Sequence, residues 1–251
     1  MNNIKRIKIN AIKGCVRREI LRYLKEPMQT IVNAIFSNLL FFLILYLINT
    51  KNTNLLIPGI IIFLSFDVIA SNLRMTLFVG RLEKTIFYQI ASCVSRITLY
   101  IIYVISSVIR ALIITSCMLI IFKLFFHNIT INNLILYLAW TIFIDIVFAN
   151  IGIVLALFSK NWNSIAAVQD YIVSPVMYLS GCFFSINQVP DLVKRFVQIN
   201  PIFHFFNVSN YLFSGQAEYD LRISFLVCIS IAILSTMVCY VIFKKGYGLL
   251  K

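Results

Sequence analysis

The sequence predicts an all-α polytopic membrane protein with six transmembrane helices. An N-terminal interfacial amphipathic helix precedes them, and re-entrant outer half-helices precede the sixth span. Three observations carry this. The 251 residues are 61% hydrophobic and only 12% charged, with a mean hydropathy of +0.92, against about 45–50% apolar and about 25% charged in soluble domains. Six apolar stretches are long enough to cross a hydrocarbon core of about 30 Å. The basic residues collect between those stretches, where they act as topological signals.

Taken in order, Asn3 is followed by an amphipathic segment, 4–26, with Ile12, Val16, Ile20 and Leu24 at steps of four on one helical face and Arg17, Arg18 and Arg22 elsewhere. Such a helix lies in the membrane interface. A transit peptide is also basic and amphipathic, but it is Ser-rich and acid-poor, whereas this segment has no Ser and carries Glu19 and Glu26. Pro27 marks the turn into the first span, because the residue before a proline avoids the helical region.

The spans read as Ile31–Ile48, Leu55–Leu73, Ile97–Phe122, Leu134–Phe158, Ser164–Phe184 and Leu221–Phe243. With no water to satisfy backbone polar groups in lipid, they are helices. The stretch 74–96 between spans two and three is a basic cytoplasmic loop. Pro175 interrupts span five, and Gly181, Pro190, Pro201 and Gly215 punctuate the segment beyond it. Between these breakers lie apolar pieces too short to cross, so 185–215 is read as re-entrant, with an aromatic-rich outer loop as the alternative. Sixteen of the 22 Lys and Arg fall on the side that holds both termini, five fall opposite, and Arg110 lies within span three. Both termini are therefore expected to be cytoplasmic. The whole chain, 1–251, reads as one transmembrane domain.

The net charge of +13 does not indicate nucleic acid, since no zinc-finger or helix-turn-helix spacing accompanies it; membrane lipids are the expected contact. Of the six cysteines, Cys117, Cys182, Cys228 and Cys239 fall inside spans and Cys15 and Cys93 in basic segments. That distribution argues against a disulfide framework and, with no CxxC, against a metal site. No GxxxxGK[ST] occurs, so the chain has no P-loop of its own. His127 and His204 lack an acid or nucleophile at catalytic spacing and read as interfacial polar side chains; HExxH and GxSxG are missing. No catalytic residue, cofactor or metal ligand is expected.

Three ionisable residues fall deep within spans, where charge is costly. Asp67 is 12 residues from Leu55, Arg110 is 12 from Phe122 and Asp145 is 11 from Leu134. At 1.5 Å per residue they share one depth. They form either an ion pair that locks spans together, with Asp145 the nearer partner of Arg110, or a polar patch along a substrate route.

The arrangement resembles the permease subunit of ABC type-2 exporters over nearly the whole chain. LIPGIIIFLSF (56–66) is similar to the family's Pro-Gly at the start of span two, GRLEKTIFYQI (80–90) to its charged cytoplasmic stretch, and SSVIRAL (106–112) to a pattern in span three. The segment 161–205 is similar to the family's series of Pro, Ser-Gly, x-Pro and Asn-Pro, here Pro175, Ser180, Gly181, Pro190, Asn200 and Pro201. Two family features are absent: a proline in ASCVS (91–95), and a carboxylate pair where this chain has Asn161–Asn163.

The resemblance implies a dimer of permeases with two copies of a separate ABC ATPase that binds ATP and Mg. It implies coupling through Arg81, Leu82, Glu83 and Lys84, and an exit shaped by Ser180, Gly181, Pro190, Asn200 and Pro201. It also implies residence in a bacterial cytoplasmic (inner) membrane. The apolar, aromatic setting suggests a lipid, glycolipid or hydrophobic small molecule as cargo. An ion-coupled secondary transporter, using Asp67 and Asp145, and a polytopic membrane enzyme are the alternatives.

Overall fold

The computed structural model describes residues 2–25, 27–48, 53–91, 95–125, 131–159, 164 and 167–248. Among them every regular element is helical: α1 (Asn2–Lys25), α2 (Asn33–Ile48), α3 (Thr53–Leu73), α4 (Thr85–Ala91), α5 (Arg96–Phe125), α6 (Leu134–Phe158), α7 (Ser174–Tyr178), α8 (Asp191–Ile199), α9 (Pro201–Ser214) and α10 (Leu221–Lys245). Among the described residues five helical runs are long and apolar enough to cross a membrane: Thr30–Leu47, Leu56–Leu82, Arg96–Phe125, Leu134–Phe158 and Leu221–Lys245.

The helix ends follow local chemistry. Asn133 caps α6 by accepting from the Leu136 N–H at 3.2 Å, and Asp220 caps α10 by accepting from Arg222 at 2.8 Å. Both side chains satisfy an amide left orphaned by the first turn. Gly215 and Gly246 close α9 and α10 with φ of 79° and 71°, a left-handed conformation costly for any residue with a Cβ.

Helix α3 is the hub, packing against α5, α6, α9 and α2. Ile57, Ile60, Leu64, Ile69, Leu73 and Leu77 along it and its extension are fully buried. In lipid such contacts are favoured by close packing rather than by removal from water, so small residues matter where helices cross. A Cβ on Gly59 would fall 1.9 Å from the carbonyl oxygen of Cys182. Pro58-Gly59 thereby lets the turn at 179–185 lie directly against α3. By contrast α2 and α10 turn Phe36, Leu43, Leu47, Ile233 and Leu234 outward, as lipid-facing helices do.

Several expectations change. The stretch 74–96 is helical over much of its length: α3 continues through a π-helical turn, Arg74–Val79, into a short turn of helix at Gly80–Leu82, then reverses into α4. A wider turn keeps the backbone bonded internally, so the polar residues after Leu73 do not end the helix. The run expected at Ser164–Phe184 is a π-turn (Gln169–Val173) followed by α7, and regular helix stops at Tyr178. It is not among the five long runs, and Asn161–Asn163 lie outside the described residues. Pro27 is itself in the α region, φ −64° and ψ −29°; the expected break falls on residue 26, outside the described set. On α1 the inward face holds Ile12, Val16, Glu19 and Tyr23, whereas Leu24 faces out. The helix packs along α5, and the turn of the face toward Glu19 has a polar cause, described next.

Candidate functional site: a buried polar seam and an anchored basic turn

Arg110 lies midway along α5 and is 6% exposed; Glu19 on α1 is 2% exposed. The Arg110 Nη2 donates to the Glu19 carbonyl oxygen at 2.5 Å and to its carboxylate Oε2 at 3.4 Å. Nη1 donates to the Asn72 side-chain oxygen, and the Tyr23 ring lies 4.9 Å from the guanidinium carbon. Asn72 in turn donates to Ser107 at 2.9 Å. A guanidinium removed from water needs several acceptors at once, and its planar fork can reach them. The seam therefore joins α1, α3 and α5 around one charge.

The three span residues at equal depth are not brought together. Arg110 bonds neither aspartate. Asp145 is fully buried on α6 with Ser65 of α3 beside its carboxylate; no cation pairs with it and neither oxygen reaches regular hydrogen-bond geometry among the described residues. The Tyr137 hydroxyl and Ser209 Oγ have no hydrogen-bond partner among the described residues.

At the basic end of the bundle Arg81 turns inward. Its Nη2 donates to the carbonyls of Ala156 at 2.5 Å and Ser159 at 3.2 Å, and its Nη1 to Leu157 at 3.0 Å and Gly248 at 3.3 Å. Three of these, Ala156, Leu157 and Ser159, are carbonyls at the C-terminal end of α6, where a cation also meets the negative end of the helix dipole. Leu82, Glu83 and Lys84 are all exposed. Lys84 has φ 57°, so the reversal is made on a residue that pays a steric cost there. The result is a projecting tip of Leu82–Glu83–Lys84 on a root fixed by Arg81.

At the opposite end the punctuating residues do local work on the chain path. Ser180 Oγ donates to the Met177 carbonyl at 2.5 Å, Gly181 turns with φ 74°, and Pro190 precedes α8. Asn200 caps α9 by accepting from Ile202 at 3.0 Å while its Nδ2 donates to the Val176 carbonyl at 2.6 Å. Pro201, whose missing N–H costs nothing at a first helical position, opens α9. Helix α9 is buried, with Phe203, Phe205, Phe206 and Phe213 inside. His204 is buried too, bridging Ser224 and the Gln198 carbonyl at 3.1 Å each. Burial holds its pKa below the ordinary value, against a smaller upward pull from the Gln198 carbonyl. His127 lies outside the described residues.

Sequence reasoning missed Glu19, Asn72, Asn207 and Glu218. Asn207 bonds the backbone at Glu218 and Tyr219, and the Glu218 carboxylate accepts from Ser185 Oγ and the Ile186 amide at 2.5 and 3.0 Å. The available signal was small: one acid among the arginines of α1, and an Asn inside an aromatic run. Among the described residues no group of three His, Cys, Asp or Glu could hold a metal.

Residues 10–213 match the family described as ABC-2 type transporter. The inner membrane transport permease YadH of Escherichia coli (strain K12) is 22% identical over 248 residues, covering 95% of this chain and 96% of that protein. The protein of the same name from Shigella flexneri matches to the same extent.

Proposed function

The chain belongs to the ABC-2 type transporter family, and on that premise we propose that it is the permease of an ATP-driven exporter, working as a dimer with two separate ATPase subunits. ATP and Mg are held by those partners. The observation that carries the reading is the exposed tip Leu82–Glu83–Lys84 on a root bonded by Arg81 to the end of α6 and to Gly248. A push on that tip moves α6 and the end of α10 together, because four hydrogen bonds tie them to one guanidinium.

The Glu19–Arg110 seam transmits motion of α1 to α3 and α5 in the same way. We place both termini and the tip in the cytoplasm, on the Lys and Arg count. The half-helix ending at Tyr178 and the turn at 179–185 complete a sixth, broken crossing, supported by the fit of Gly59 against Cys182. Helices α8 and α9 then shape the exit, where a lipid, glycolipid or hydrophobic small molecule leaves outward along aromatic walls.

Asp145, buried with no cation paired to it among the described residues, favours a second reading, an ion-coupled carrier, since such carriers place carboxylates at mid-membrane. Co-expression with a candidate ABC ATPase subunit separates the two. A stable complex whose ATP hydrolysis needs both proteins is expected; transport by the chain alone, driven by an ion gradient, would replace the first reading with the second.

A further inference from the structure

A groove of about 480 Å³ runs between α5, α6 and α10, open sideways to the surroundings of the bundle. Tyr100, Phe143, Ile229, Ile233, Met237 and Tyr240 line it. Ile229 to Tyr240 covers roughly 16 Å at 1.5 Å per residue, about half of a 30 Å hydrocarbon core, which is one leaflet. The few polar atoms at its floor are already satisfied: the Tyr100 hydroxyl donates to Asn150 Oδ1 at 2.8 Å, and Asn150 Nδ2 donates to Thr236 at 3.0 Å. The groove thus offers mainly apolar contact, with Tyr100 and Asn150 already engaged within the protein.

Its rim at the basic end is cationic. Lys244 follows one turn after Tyr240, with its Nζ 5.8 Å from the Tyr240 ring centroid, and Arg96 stands one turn before Tyr100. The two helix ends are adjacent, since a Cβ on Gly246 would lie 2.7 Å from an Arg96 Nη atom. Arg96, Lys244 and Lys245 are all exposed. No Asp or Glu occurs in 96–125 or 221–251 to offset them.

We propose that this groove binds an anionic phospholipid of the leaflet at the basic end, with one acyl chain along α10 and the phosphate between Arg96 and Lys244. A basic pocket between helices is the setting in which acidic headgroups are retained. A second copy of the chain is a poorer occupant, because a two-fold interface there would set two Arg96–Lys244–Lys245 clusters against each other. The inference depends on membrane embedding alone and stands apart from the permease reading.

The test is native mass spectrometry of the purified full chain carried through exchange into mixed micelles of phosphatidylglycerol and phosphatidylcholine. One phosphatidylglycerol should persist, preferred by about tenfold or more, the order expected for two basic side chains at a surface. The Arg96→Gln/Lys244→Gln double variant should lose that preference with unchanged thermal melting. Met237→Trp, at an exposed position, should reduce retention of either lipid with the charges intact. Equal retention of both lipids by the unaltered chain would overturn the proposal, as would a double variant that keeps the preference, or a Met237→Trp effect confined to oligomeric state.

Discussion

Glu19 and Arg110, 91 residues apart in sequence, meet as an ion pair of 3.4 Å between two buried side chains. The pair fixes the N-terminal helix to α5. Glu19 also holds Arg18 at 2.9 Å, whereas Arg110 has Glu19 as its one anionic partner among the described residues, so removing the carboxylate strands the buried guanidinium, at about 3–5 kcal/mol. Arg110→Ala and Glu19→Gln should each lower the folded yield and melting temperature in detergent, and the double variant should lose less than the sum of the two. Additive losses in that cycle would mean that the two charges do not interact.

Asp145 has no such partner, so the opposite is expected of it. Asp145→Asn keeps the shape, breaks no ion pair and leaves an amide beside Ser65, so its melting temperature should stay within a change equivalent to about 1 kcal/mol. A loss as large as that of Arg110→Ala would reveal an ion-pair partner for the carboxylate.

These two residues also mark how far sequence reasoning reached. The ends of α6, Leu134 and Phe158, were legible because apolar residues begin and end it and Asn133 and Ser159 flank it. Equal depth in separate spans suggested that Arg110 meets Asp145, yet depth fixes only one coordinate. The side of α5 on which Arg110 projects is set by packing, and that side faces α1 and α3. Glu19 was legible only as evidence against a transit peptide, since its neighbours Arg17, Arg18 and Arg22 suggested a solvated polar face. The π-turn at Arg74–Val79 left no mark in the hydropathy pattern, so helix beyond Leu73 read as loop, and the role of Arg81 as an anchor was hidden with it.

Arg81 should not be replaceable by Lys. A lysine ammonium has three donors and no planar fork, whereas Arg81 spreads its bonds over four carbonyls. Arg81→Lys should raise amide hydrogen exchange in the last turn of α6 and at 246–248, and Arg81→Ala should raise it further. Unchanged protection in both would show that the tip is held by other contacts.

His204 gives the outer segment a pH dependence. Its pKa is lower in the fold than in the unfolded chain, where it is about 6.5, so the unfolded state takes up the proton first. The stabilising effect of the neutral ring is full above that value and is lost as pH falls through it. Melting temperature should therefore drop more steeply below about pH 6.5 in the unaltered chain than in His204→Gln; parallel pH profiles would count against this.

Under the proposed function an outside ATPase drives this chain through the tip Leu82–Glu83–Lys84. Proteoliposomes holding the chain and its ATPase test it most directly, with ATP turnover and cargo movement read together for the unaltered chain and for Glu83→Lys. Melting should be unchanged, because Glu83 is exposed. The unaltered pair should couple turnover to transport, and Glu83→Lys should lose most of the coupling. Wild-type coupling in Glu83→Lys, or ATP hydrolysis by the chain without any partner, would contradict it.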